Sequence, residues 1–120
     1  MQATISPLNR SELRRYIERV SDRWRLEGAY LGGSALTGES PSEIYGDAGA
    51  EFTVVLVSDA FDEIPWLERV YVTTSLWDGL EMGAPADVRC YTRAEFDRVR
   101  DSAPAVRDAT WHGLDLLVFI

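Results

Sequence analysis

Glu51-Phe52-Thr53-Val54-Val55-Leu56-Val57-Ser58-Asp59 is the stretch whose reading decides the fold, together with Gly32-Gly33-Ser34-Ala35-Leu36-Thr37-Gly38 before it. From Phe52 to Val57 nearly every position is apolar and most are β-branched, the composition of a buried strand. Period-two alternation puts Glu51, Thr53, Val55 and Val57 on one face and Phe52, Val54 and Leu56 on the other. The glycine-rich turn ahead of the strand and the acid at its entrance suggest a nest of backbone N–H groups for phosphate, facing a carboxylate that holds a metal ion. Between them, residues 39–50 contain Pro41, Gly46 and Gly49 among polar side chains and read as a loop.

Working outward, Asn9 and Glu12 make a capping-box pattern, and Leu13, Tyr16, Ile17, Val20 and Trp24 follow at helical spacing. This predicts a helix over about residues 10–26, ended by Gly28. Ala29 to Gly33 reads as a first strand, and Ser34 to about Gly38 as one helical turn. Asp62-Glu63-Ile64-Pro65 opens a helix that Leu67, Val70, Tyr71, Thr74 and Trp77 carry to Gly79. Ala86–Tyr91 is a third strand, Thr92 with Glu95 caps a short helix, and Pro104 starts another that runs to about His112. Leu114–Ile120 is an apolar strand or extended tail that also suits a dimer seam. The order α-β-(loop)-β-α-β-α-α-β implies an α/β (α+β) chain, a single domain over 1–120, with a small mixed sheet and helices packed mainly on one face.

At 120 residues and 46% hydrophobic, the sequence suits one globular core. Its apolar runs are too short to span a membrane, the start lacks a signal-peptide layout, and one cysteine allows no intrachain disulfide. The cytoplasm is the expected compartment. All 12 basic residues are arginine and the net charge is −8, which makes nucleic acid an unfavourable partner. Six of those arginines lie in residues 10–27 among four acids, the pattern of a solvated helix face.

The ordered motifs resemble the minimal nucleotidyltransferase (MNT-like) domains of the DNA polymerase β superfamily. The likeness rests on Gly33-Ser34, the apolar strand, Phe61, Ile64-Pro65, Leu67-Glu68-Arg69, Leu76-Trp77, Asp87 and Tyr91-Thr92-Arg93-Ala94-Glu95-Phe96. It covers about residues 10–117. That resemblance implies a nucleotidyltransferase-like fold. It also implies phosphate binding of a nucleoside triphosphate at Gly33 and Ser34, and Mg2+ held by carboxylates on two strands. Glu51 falls at the first metal position, Thr53 at the second and Asp87 at the third, so Glu51 and Asp87 are the catalytic and metal-ligating candidates. The motif is degenerate: threonine stands where the family has its second aspartate, and Ser34 to Glu51 spans 17 residues, longer than the family's spacing. Glu43 or Asp47 in the loop is a candidate substitute ligand.

Two functions follow as expectations. One is a pseudoenzyme that binds a protein partner, antitoxin-like by resemblance to members that pair with a small helical toxin-like protein, or that self-associates. The other is an active Mg2+-dependent enzyme moving a nucleoside monophosphate from a triphosphate to a hydroxyl. His112 reads as a surface or C-cap residue, Cys90 as buried core, and Trp66, Trp77 and Trp111 as core or interface.

Overall fold

The computed structural model describes residues 8–38 and 49–119. Helix α1 (Arg10–Ser21) begins where the capping pattern places it, with the Asn9 side chain accepting from the Glu12 N–H at 3.1 Å. Glu12 does not reach back to the cap. Its buried carboxylate instead receives Arg15 and Arg19, and Arg19 also donates to the Leu76 carbonyl. The helix ends five residues short of the expected point. Arg23 and Trp24 both bond back to the Val20 carbonyl, the Arg25 carbonyl accepts from the Ser58 hydroxyl, and Glu27 N–H donates to Val57. The bonds to Val57 and Ser58 take the place of those a longer helix would make.

Strand β1 (Gly28–Gly32) pairs antiparallel with β2 (Phe52–Val57), with Gly32 opposite Thr53. The short helix α2 (Ser34–Thr37) leaves β1 directly. Beyond β2 come a 3-10 turn (Asp59–Glu63), α3 (Trp66–Ser75), α4 (Gly79–Met82) and β3 (Ala86–Tyr91). β3 runs parallel to β2 and places Asp87 opposite Thr53. Then follow α5 (Arg93–Val99), α6 (Pro104–His112), β4 (Leu114–Asp115) and α7 (Leu116–Phe119). The sheet order is β3-β2-β1-β4, so the sheet is mixed, as the sequence implies.

One face carries the larger core, where Ala29, Leu31, Val54, Leu56 and Cys90 meet Leu13, Tyr16 and Val20 of α1. α5 and α6 cover part of the other face through Phe96, Val106 and Ala109, packed on Val55 and Val57. β2 is buried at all six positions, which is why it reads as a near-continuous apolar run.

Two expected elements differ. The helix expected to reach Gly79 breaks after Ser75, because Asp78 caps α4 by accepting from Leu80 and Glu81 N–H, and the Trp77 indole donates to the Ala84 carbonyl. The apolar tail forms only two residues of strand before turning helical, where the Asp115 carboxylate accepts from Leu117 N–H and Leu116 is fully buried. Trp77 is a core residue, 5.0 Å from the Tyr16 ring, whereas Trp111 is 65% exposed. Cys90 is buried as expected, and burial pushes its thiol up to about 11.

The Thr92 cap closes the full box with Glu95, whose carboxylate also receives Arg69 at 2.8 Å. Burial raises the Glu95 carboxyl, but the Arg69 and Thr92 hydrogen bonds outweigh it and hold the group below the usual carboxylate range. A carboxyl depressed in the folded state contributes stability that is present above its unfolded value and is lost as pH falls through the folded one. Wild-type protein is therefore expected to lose stability more steeply than Glu95→Gln below about pH 5, read by denaturant midpoints at stepped pH. Parallel curves would show that the Arg69 pair contributes nothing.

Candidate functional site

The site begins at the end of β1. Gly33 has φ 95 and ψ 167, a conformation reserved for glycine. A Cβ there would lie 2.6 Å from both the Glu51 carbonyl oxygen and the Thr53 nitrogen. This close approach carries the Gly33-Ser34 turn across the entrance of β2. Ala35 N–H donates to the Glu51 carbonyl at 2.9 Å, and the Ser34 hydroxyl accepts from Glu51 N–H at 3.2 Å. The phosphate-turn candidates and the first acidic candidate are thus adjacent despite their separation in sequence. It is the backbone of Glu51 that is engaged; the residue itself is exposed.

Across the sheet, Gly32, Thr53 and Asp87 form one row over β1, β2 and β3. Thr53 is only 8% exposed. Asp87 is engaged by Arg89, two residues along the same strand and therefore on the same face. Arg89 Nε and Nη2 both donate to Asp87 Oδ2, at 3.1 and 3.0 Å. Burial lowers the Arg89 guanidinium, but the Asp87 contact outweighs it and raises the group above its ordinary value. With side chains 34% and 39% exposed, the pair is a modest stabiliser. One of the two Asp87 carboxylate oxygens, Oδ2, is therefore already engaged by a guanidinium. Among the described residues, no group of three acids, histidines or cysteines is placed to hold a metal ion.

A cavity of about 460 Å3 opens beside this row. Gly33, Ser34 and Thr53 line one wall, and Asp108 and His112 of α6 line the other. α6 is pressed onto β1 by two glycines: a Cβ on Gly32 would lie 2.9 Å from Ala109 Cα, and one on Gly113 would lie 2.0 Å from the Leu31 carbonyl oxygen.

No family model matches the chain, and no curated protein is a significant match to it. Among solved structures it is similar to a putative nucleotidyltransferase from Sulfolobus solfataricus, with a TM-score of 0.52 and 22% identity. The match covers 77% of this chain and 74% of the other. The fold is nucleotidyltransferase-like. At that identity the likeness is one of architecture.

Within this nucleotidyltransferase-like fold, the structure brings Gly33, Ser34, Thr53 and Asp87 to one end of the sheet. Glu51 stands one residue outside β2. Glu43 and Asp47 lie outside the described residues. His112 is in the last turn of α6 and exposed, as expected, but it also faces the cavity. The sequence signal for this wall was the four-residue spacing of Asp108 and His112, which puts both on one helix face. Nothing local said that the face would meet the Gly33-Ser34 turn. No helix among the described residues is long and apolar enough to cross a membrane.

Proposed function

We propose that this chain is a catalytically degenerate nucleotidyltransferase-like protein that acts by binding a protein partner, in the manner of an antitoxin. The observation that carries the reading is the Thr53–Asp87 row with Arg89 bound to Asp87. Metal-dependent phosphoryl transfer requires carboxylates that bridge two cations, and the cations neutralise charge on the transferring group. Threonine supplies no carboxylate at the bridging place, and the remaining aspartate is already neutralised from within the chain.

An outward apolar stripe on α3 supports a protein partner. Leu67 is 80% exposed and Tyr71 one turn later is 76% exposed, with Trp66 beside them at 43%. Apolar side chains at this spacing suit an apolar helix laid against α3, either from a small helical toxin-like protein or from a second copy.

The cavity beside Gly33 and Ser34 favours a second reading. In it Gly33 and Ser34 hold the phosphates of a nucleoside triphosphate, Glu51 and Asp87 hold Mg2+, and a nucleoside monophosphate passes to a hydroxyl acceptor. Label transfer from α-labelled ATP or GTP onto the protein or added acceptors separates the two. The proposal expects no transfer above the level of the Asp87→Ala variant. Mg2+-dependent transfer that Asp87→Ala abolishes would establish the second reading.

A further inference from the structure

We infer that the outward face of α3, with the turn that follows it, docks one basic amphipathic helix of a different protein, and that a second copy of this chain does not cover it. The inference deepens the partner-binding proposal and rests on it.

Leu67 and Tyr71 stand one turn apart on α3 and are both exposed. With Val70, Thr74 and Ser75 they line a groove of about 530 Å3. Ser75 also lines the next hollow, of about 730 Å3, together with Leu76, Trp77 and Leu80. The two meet at Ser75 and make one trough from Leu67 to Leu80, whose side chain is 96% exposed. α3 has 10 residues, about 15 Å at the rise of an α-helix. A partner helix of about three turns fits that length, with apolar side chains repeating at helical spacing to meet Leu67, Tyr71 and Leu80.

Charge names the class of helix. From Asp62 to Glu81 the chain carries five acids, Asp62, Glu63, Glu68, Asp78 and Glu81, and all are exposed. The only cation in that segment, Arg69, is buried and paired with Glu95. Arg19, which also lines the trough, is taken up by Glu12 and the Leu76 carbonyl. The rim is therefore negative at both ends. A partner that carries lysine or arginine beside its apolar stripe meets opposite charge there.

A second copy lacks that combination. A two-fold contact sets the patch against itself, acids facing acids. The arginine-rich helix α1 buries Leu13, Tyr16, Ile17 and Val20, so the face it exposes is polar and fills no apolar trough. The exposed apolar pair Leu117 and Val118 sits on a helix of only 4 residues, too short for the trough.

The test is fluorescence anisotropy of labelled peptides of about 18 residues, titrated with the full chain. One peptide has leucine on a single helical face and lysine elsewhere. The second has glutamate for lysine, and the third scrambles the first so that leucine falls on no single face. The lysine peptide is expected to bind in the micromolar range, and the other two at least about tenfold more weakly. Leu67→Ser with Tyr71→Ser should weaken the lysine peptide at least about tenfold. Leu117→Ser with Val118→Ser should leave its binding unchanged. Both pairs are exposed, and thermal midpoints check that the fold is kept. Glu68→Lys should weaken the lysine peptide and tighten the glutamate one. Sedimentation equilibrium should show no dimer that depends on Leu67 and Tyr71. No binding of the lysine peptide at about 100 μM, equal binding of the glutamate peptide, binding that ignores the α3 substitutions, or an α3-dependent dimer would each overturn the inference. The partner-binding reading fails separately, by Mg2+-dependent label transfer, which these surface substitutions do not touch.

Discussion

Gly33→Ala is expected to destabilise the protein by about 3–5 kcal/mol, through backbone strain and overpacking together. At φ 95 and ψ 167 an alanine is strained whatever the space around it. The added Cβ would also meet backbone atoms, Glu51 O and Thr53 N at 2.6 Å and Phe52 C at 2.9 Å. Backbone cannot rotate away as a side chain does. Relief requires β1 and β2 to separate where Gly32 and Thr53 pair, or the turn to leave the strand entrance. Denaturant unfolding of Gly33→Ala measures the loss, with Gly49→Ala as control. Gly49 has nothing within 4 Å of an added Cβ, so its change should stay within about 0.5 kcal/mol. Equal stability of the two variants would mean that Gly33 does not approach β2 as described.

The second large effect concerns charge at the Thr53–Asp87 row. Combining Thr53→Asp with Arg89→Gln places two carboxylates opposite each other on β2 and β3 and removes the cation that neutralised one of them. Without metal the double variant should melt well below wild type, because like charges at a buried position repel strongly. Millimolar Mn2+ or Mg2+ should reverse this loss. By mass action, a cation at a hundred times its dissociation constant adds about 2.7 kcal/mol. For a domain of this size that is a rise of roughly 10 °C. The wild-type midpoint should ignore the same additions. Wild-type protein stabilised by the cation, or a double variant indifferent to it, would contradict the account of Arg89 and Thr53.

Much of the fold was legible because it is written in local patterns. The apolar run of β2, the cap at Asn9, the box at Thr92 with Glu95, and Pro104 at the start of α6 each fix an element through neighbours in sequence. The differences arise where distant partners compete with local ones. Residues 22–27 bond to the end of β2 and to Ser58 rather than continuing α1, and α3 gives way at Ser75 to a turn held by Trp77 and Asp78. The site divides in the same way. Strand alternation puts Thr53 on the face of Glu51 and would equally have placed Arg89 beside Asp87, whereas the pairing of Thr53 with Asp87 depends on the register of β2 against β3. The α6 wall was hidden, because only the close contacts of Gly32 with Ala109 and of Gly113 with Leu31 bring Asp108 and His112 over the Gly33-Ser34 turn.

The central claim is that this nucleotidyltransferase-like fold has lost metal-dependent use of a triphosphate. Calorimetric titration of purified wild-type protein with ATP and then GTP, with and without Mg2+, tests it most directly. The account predicts that Mg2+ produces no binding of either triphosphate. Mg2+-dependent binding that disappears in both Ser34→Ala and Asp87→Ala would contradict it and identify a working metal site.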